Sequence, residues 1–350
     1  MKGQSKPFIY SGENCIDDFK LYLNNSKYSK IIFFTDENTN EYCYPLIAPS
    51  FENHINIQIP SGEENKNIET CSKVWDELSK HNFDRNAVVV NLGGGVICDM
   101  GGFIAATYKR GIDFIHFPTT LLSMCDASIG GKLGVNHNGL KNYIGLFRNP
   151  RAIVIYPEFL KTLPDKQMLS GFAEVIKHAI IADRKLFNDL YLINDFTENI
   201  EKYIHRSVKI KSRIVNLDMH EKGVRKSINF GHSIGHALES WFIISGEQEN
   251  ITHGEAVAAG MISESWIAYK RKFVTEKELS KIVTLIKNFY KKIIIDVDKL
   301  GSIAELIDKD KKNEKSEILF TLPDGIGNFH INEKVNHSEI MESLEYYQNI

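Results

Sequence analysis

Apolar and polar positions change rhythm halfway along the chain. In the first half, short apolar runs alternate with polar stretches of helical spacing. Lys30–Asn38 (KIIFFTDEN), Asn86–Gly95 (NAVVVNLGGG), Gly111–Leu122 (GIDFIHFPTTLL) and Arg151–Leu160 (RAIVIYPEFL) each concentrate β-branched and aromatic residues in a short block, as buried strands do. Between the first two, Asn67–Phe83 sets Cys71, Val74, Trp75 and Leu78 on one helix face. Strands separated by helices predict a Rossmann-like parallel α/β sheet.

After Leu163–Pro164 the apolar residues recur at three- and four-residue steps. Asp165–Ile193, Asn199–Glu221 and His253–Val274 all read this way, so a mainly helical second domain is expected. The predicted division is 1–164 and 165–350, with Pro164 at the boundary. Asp308–Glu317 reads as a charged loop or turn, and Glu317–Ile331 as one or two short late strands.

Composition narrows the function classes. A hydrophobic fraction of 43% suits a globular protein with a real core, and a formal net charge of -3 gives no basic field for nucleic acid. No apolar run reaches the roughly eighteen residues of a membrane span. The opening MKGQSKPFIYSGENC lacks a signal-peptide core, so the cytoplasm is the expected compartment. The five cysteines are scattered and odd in number, which favours reduced thiols over a disulfide framework.

Four stretches carry candidate chemistry. Asn91–Phe103 (NLGGGVICDMGGF) places glycines between a strand and a helix, where backbone N–H groups can approach a pyrophosphate. The acid of the usual dinucleotide fingerprint follows its glycines; here the best acid at a strand end, Asp36, precedes them. A tight strand-to-helix turn is the plainer alternative. Ser128–Gly145 packs glycines around Lys132, Lys141 and Asn142, which suits an anion, a solvated loop being the alternative; Arg110 and Asp126 lie nearby in sequence. Gly171–Ile181 sets Glu174, Lys177 and His178 in an apolar helix. Finally, His232, His236 and His253 fall within a short span. Histidines with a carboxylate and an open position make a catalytic zinc site. Spacing alone selects His232 and His236, one helical turn apart, with His253 or a carboxylate completing the set.

Taken in series, GGGVICDMGGFIAATYKRG, FPTTLLSMCDASIGGKLGVNHNGLKN, LKTLP, GFAEVIKH, NFGHSIGHALE and HGEAVAAGM resemble one family, 3-dehydroquinate synthase, of the sugar phosphate cyclases. The resemblance runs from about Ser61 to Met261. It implies an N-terminal NAD-binding α/β domain and a C-terminal helical metal- and substrate-binding domain, with the active site between them. It implies a homodimer acting on a small sugar phosphate, with NAD and a divalent metal, zinc or cobalt. The implied reaction converts 3-deoxy-D-arabino-heptulosonate 7-phosphate to 3-dehydroquinate and phosphate, within aromatic amino acid biosynthesis. Its implied stages are transient oxidation, β-elimination of phosphate, re-reduction, ring opening and intramolecular aldol closure.

Carried over by motif, the resemblance implies Glu174, His232 and His253 as metal ligands, and leaves His236 beside the substrate. Asp126, Lys132, Asn142, Lys177, Lys211, Arg225 and Asn229 match substrate-binding and catalytic positions. Arg110 matches a phosphate-contacting arginine supplied by the partner subunit, and Lys312 a further phosphate-site lysine, with Lys311 as the competing register. For NAD, Asp36 matches the ribose acid, while Glu63, Lys66, Gly94, Gly95, Asp99, Thr119, Thr120, Lys132, Lys141, Phe159 and Thr162 match further contacts. The sequence departs from the family pattern at Leu133, where threonine is common, at Cys98, where a smaller residue is usual, and in the glycine position of NHNGLKN.

Overall fold

The computed structural model describes residues 6–246, 251–312 and 317–350, and within the second of these spans not the side chains of 308–312. The chain divides into two compact units, Met1–Pro164 and Asp165–Ile350.

The first unit is built on strands β1 (Phe8–Ser11), β2 (Ile31–Asp36), β3 (His54–Ile59), β4 (Val88–Gly93), β5 (Asp113–Pro118) and β8 (Ala152–Ile155), all parallel in the order β1-β8-β5-β4-β2-β3. Every residue of β4 is buried, which explains why its apolar residues do not alternate with exposed polar ones: a strand inside a parallel sheet is covered on both faces. Helices α1 (Cys15–Asn25), α2 (Glu37–Tyr42), α3 (Tyr44–Ile47), α4 (Ile68–Lys80) and α5 (Gly95–Thr107) make the crossovers and short links. Helix α4 begins where Asn67 accepts the Thr70 N–H, and it buries Cys71, Val74 and Leu78.

Two strands escape the apolar pattern. β1 is exposed at three of its four positions, and β3 alternates polar and apolar residues, as outer strands do. The glycine-rich stretch after Ser128 is no solvated loop. It folds as an antiparallel hairpin of β6 (Lys132–His137) and β7 (Leu140–Phe147), with Leu133 and Val135 buried in the core. A glycine count therefore disguises a strand whose inward positions are apolar.

Glycines 101 and 102 of α5 serve packing. A Cβ on Gly101 would lie 2.1 Å from the Asn91 Oδ1, and one on Gly102 would lie 2.4 Å from Leu133 Cδ2. Leu133 fills the space that Gly102 leaves.

The second unit is mainly helical: α6 (Asp165–Ala182), α7 (Arg184–Tyr191), α8 (Ile200–Leu217), α9 (His232–Ser245), α10 (His253–Lys270), α11 (Glu276–Phe289), α12 (Leu300–Lys312) and α13 (His337–Asn349). An antiparallel pair, β9 (Leu319–Pro323) and β10 (Phe329–Lys334), completes it. The charged stretch expected as a loop from Asp308 instead extends α12 to Lys312, because its lysines continue a helix already anchored by buried Ile303, Ala304 and Ile307. Residues 313–316 lie outside the described set.

Helix α10 starts with a capping box, Thr252 and Glu255 each holding the other's backbone N–H, and its first turn lies directly on α6. A Cβ on Gly254 would sit 2.4 Å from the Ser170 Cα and carbonyl oxygen. Gly254→Ala is expected to lower stability by about 1–3 kcal/mol through overpacking. A denaturation midpoint equal to that of the unmodified protein would contradict so tight a contact.

Candidate active site

In the second unit, three elements converge on one carboxylate. Glu174 lies in the middle of α6 and is fully buried, and so is Lys177 one turn later, paired with the Glu174 Oε2. This i,i+3 ion pair is therefore buried, as the apolar helix around it requires. His232 is the first residue of α9 and His253 the first of α10. Their Nε2 atoms stand 3.5 and 3.6 Å from the Glu174 Oε1.

These distances fit a metal. A tetrahedron with bonds of about 2.1 Å has edges of about 3.4 Å, and one carboxylate with two imidazoles leaves a fourth position open. The remaining ring nitrogens are also engaged. His232 Nδ1 faces the Phe230 carbonyl at 3.2 Å, and His253 Nδ1 faces the Glu239 Oε2 at 3.0 Å. With Nδ1–H donating in each case, Nε2 keeps its lone pair for a cation.

The two imidazoles titrate in opposite directions. Burial drives His232 well below the ordinary histidine range, reinforced by the nearby Lys177 cation. Burial disfavours the His253 cation too, but hydrogen bonds to Glu174 and Glu239 outweigh it and raise His253 to about 9.

His236 is exposed, its ring centroid 5.2 Å from that of His232 and 5.9 Å from that of His253. Among the described residues His236 groups with Glu239 and His253, whereas His232 groups with Glu174 and His253. The pair chosen by spacing alone is not united in a three-ligand group.

Other second-unit candidates surround this centre in the chain. Lys211 is buried on α8, which packs on α6. Arg225 is buried in the short helical turn Val224–Asn229, where its guanidinium donates to the Met219 carbonyl at 2.6 Å. Asn229 is exposed and donates to Glu221. Lys311 and Lys312 end α12 with side chains outside the described residues, so their register stays open. Glu239, which holds His253, escaped the sequence reading. Its position seven residues after His232 places it on the same helix face, and that was the available signal.

In the first unit, candidates gather at the carboxyl ends of the strands, where open α/β sheets bind ligands. Asp36 ends β2 and caps α2, its Oδ1 accepting the Thr39 N–H at 2.7 Å. Gly94 stands at the cap position of α5. A Cβ on Gly95 would meet only Ala127, at an ordinary 3.7 Å. Packing does not require glycine there, and the bare position leaves the helix-start amides open to a pyrophosphate. Thr119 bonds back to the Gly93 carbonyl, and Thr120 shares its hydroxyl with Ser123 at 2.9 Å. Asp126 sits in the wide helical turn Ser123–Ala127.

Beside this loop runs a polar chain. Buried Lys66 donates to the Asp99 Oδ2 at 2.7 Å and to the Asn142 Oδ1 at 2.5 Å. Asn136 links the Glu63 carboxylate to the Asn142 N–H. Burial raises the Asp99 carboxyl, and Lys66 partly offsets it. Cys98 is buried, its thiol raised by burial and directed to the Gly93 carbonyl at 3.7 Å, so the departure from a smaller residue is absorbed within the protein. Lys132 begins β6 and Lys141 is the second residue of β7, and both are exposed. The Phe159 ring is buried edge-on to Tyr156, and Thr162 donates to the Phe159 carbonyl. Arg110 is exposed at a turn where Lys109, Arg110 and Gly111 have successive φ values of 48°, 68° and 107°.

Comparison with known proteins agrees along the chain. Models described as 3-dehydroquinate synthase N-terminal and C-terminal match residues 56–170 and 171–313. A 3-dehydroquinate synthase of Parabacteroides distasonis is 41% identical over 332 residues, covering 93% of this chain and 94% of its own. One of Alkaliphilus oremlandii is 37% identical over 350 residues, covering 96% and 94%. Among solved structures, a 2-deoxy-scyllo-inosose synthase complexed with carbaglucose-6-phosphate, NAD+ and Co2+ superimposes with a TM-score of 0.84 at 25% identity, covering 97% of this chain and 96% of that one.

Asp36 caps a helix, and the resemblance also implies a ribose contact for it, so the test must separate the two. Asp36→Asn keeps a good capping residue and is expected to leave stability nearly unchanged. It should weaken NAD binding about tenfold, roughly the loss of one charge-assisted hydrogen bond. Unchanged NAD affinity in calorimetric titration would remove the ribose role.

Proposed function

The chain belongs to the 3-dehydroquinate synthase family, and from that premise we propose that it converts 3-deoxy-D-arabino-heptulosonate 7-phosphate to 3-dehydroquinate and phosphate. The observation that carries the reading is the triangle of Glu174, His232 and His253, with ligand spacing of 3.5 and 3.6 Å, in a chain aligned almost throughout with enzymes of that name.

When bound, NAD supplies a reversible hydride acceptor and the divalent cation, zinc or cobalt, supplies Lewis acidity toward substrate hydroxyls. Glu174, His232 and His253 hold the cation. Asp36, Glu63, Lys66, Gly94, Gly95, Asp99, Thr119, Thr120, Lys132, Lys141, Phe159 and Thr162 are assigned to NAD. The bare Gly95 position and the open start of α5 support the pyrophosphate part of that assignment.

Lys132, Asn142, Lys177, Lys211, Arg225 and Asn229 are assigned to the substrate, and Asp126 and His236 to proton handling. Cations suit both ends of a substrate that carries a carboxylate and a phosphate. Burial of Lys177, Lys211 and Arg225 strengthens them as anion ligands, because charge acts more strongly where water is excluded. Lys312 is assigned to the phosphate. Arg110 is assigned to the phosphate of a neighbouring subunit in a homodimer, which its exposure on a tight turn supports. A protein that is monomeric by light scattering while fully active would remove that assignment.

The reaction is redox-neutral overall, and this sets the assay. Purified protein with zinc, NAD and the heptulosonate phosphate is expected to release phosphate and dehydroquinate in equal amounts, without net NADH. Net NADH formation from a polyol, without phosphate release, would point to a dehydrogenase instead.

His236→Ala separates ligand from proton handler. It is expected to retain zinc and lose turnover by about 10²- to 10⁴-fold. Loss of zinc in elemental analysis would return His236 to the ligand set.

A further inference from the structure

We propose that Glu264 is a positioning residue that sets metal affinity by clamping the start of α9. The inference rests on the metal reading of Glu174, His232 and His253.

Helix α9 lacks a capping side chain, because its cap position is Gly231, at a φ of 80°. The first N–H groups of a helix need partners when they are buried. Glu264, on α10, supplies them. Its Oε2 accepts from the Gly231 N–H at 2.6 Å and its Oε1 from the Ile234 N–H at 3.2 Å. Glu264 is fully buried, and its acidic group lies at the positive end of the α9 dipole.

The clamp operates across an unusually close helix contact. A Cβ on Gly260 would lie 2.0 Å from the Gly231 carbonyl oxygen, and one on Gly231 would lie 2.6 Å from Met261 Cγ. Gly235 approaches Ala256 in the same way. Thus the backbone on either side of His232 is held by α10, the helix that carries His253. His236 follows one turn later on the same helix, so one buried carboxylate fixes the base from which His232 and His236 project.

A ligand shifted by a fraction of an ångström loses metal affinity without loss of fold, and this separates positioning from general stability. Glu264→Gln replaces one acceptor by an NH2 group facing a backbone N–H. Its zinc affinity, measured on metal-free protein by chelator competition, is expected to fall about 10- to 100-fold. The visible spectrum of the cobalt-substituted variant should shift, and NAD affinity should not change. Glu264→Asp, which keeps both acceptors on a shorter stem, should recover part of the affinity. Ser263→Ala and Ser265→Ala, at flanking buried positions, should alter melting temperature alone.

A folded Glu264→Gln or Glu264→Asp protein with unchanged zinc affinity and cobalt spectrum would overturn the proposal. If neither variant folds, hydrogen exchange on the metal-free unmodified protein decides. Strong protection of the Gly231 and Ile234 amides is expected, and exchange as fast as in exposed loops would overturn it. An unmodified protein that binds no zinc would instead defeat the metal reading itself, and the clamp's role with it.

Discussion

A carboxylate with no exposed surface is the constraint from which the second unit follows. Taking Glu174 out of water costs several kcal/mol unless other groups replace its hydration. Lys177 does so from one turn along α6, and His232 and His253 do so from two other helices. For those imidazoles to reach one oxygen, α9 and α10 must lie closer than ordinary side chains allow. Gly231, Gly235 and Gly260 occupy the points of nearest approach between them, and Gly254 brings α10 onto α6. The glycines in NFGHSIGHALE and HGEAVAAGM thus follow from the site's geometry: the charge needs its partners, and the partners need bare backbone.

The first unit answers a different demand. Its ligand side consists of strand ends and a helix start, which supply N–H groups but little fixed charge. The charge comes from the chain Glu63, Asn136, Asn142, Lys66 and Asp99, joined by hydrogen bonds that cross from α5 to the hairpin. Lys66 is buried in it, and Asp99 is raised by burial despite Lys66. Such a chain is costly when partly satisfied and rigid when complete. It fixes the hairpin against α5, with Leu133 filling the space above Gly102.

Elements with strong periodicity were legible in the sequence. The four buried strands and the helices of the second unit announce themselves because burial imposes apolar residues on every position or on one face. β1 and β3 were hidden because outer strands need no unbroken apolar run, and the β6–β7 hairpin was hidden by its glycines. Within the candidate site, residue types were readable but partnerships were not. Spacing favoured His232 with His236 because the same helix presents both, while the nearer partner of His232 is Glu174, 58 positions earlier in the chain. Only the helix packing joins them. Glu239 and Glu264 were missed for the same reason: in a helical stretch each reads as an ordinary polar position, and each acts on the neighbouring helix.

His232 and His253 share the Glu174 oxygen and yet titrate apart. The difference lies in what each has on its far side. His232 Nδ1 meets a neutral carbonyl and its ring lies near the Lys177 cation, whereas His253 Nδ1 meets the carboxylate of Glu239. Helix α9 therefore contributes one imidazole and, two turns on, the group that orients the imidazole of α10. Helix α10 returns the arrangement, because its Glu264 holds the start of α9. Neither histidine is placed by its own helix alone. A one-residue slip between the two helices would turn Glu239 from His253 and Glu264 from Gly231 together, since a single step rotates a helical side chain by roughly 100°. The glycine contacts oppose that slip, because a Cβ in place of Gly231 would meet Met261 and the Val257 carbonyl, and one in place of Gly260 the Gly231 carbonyl.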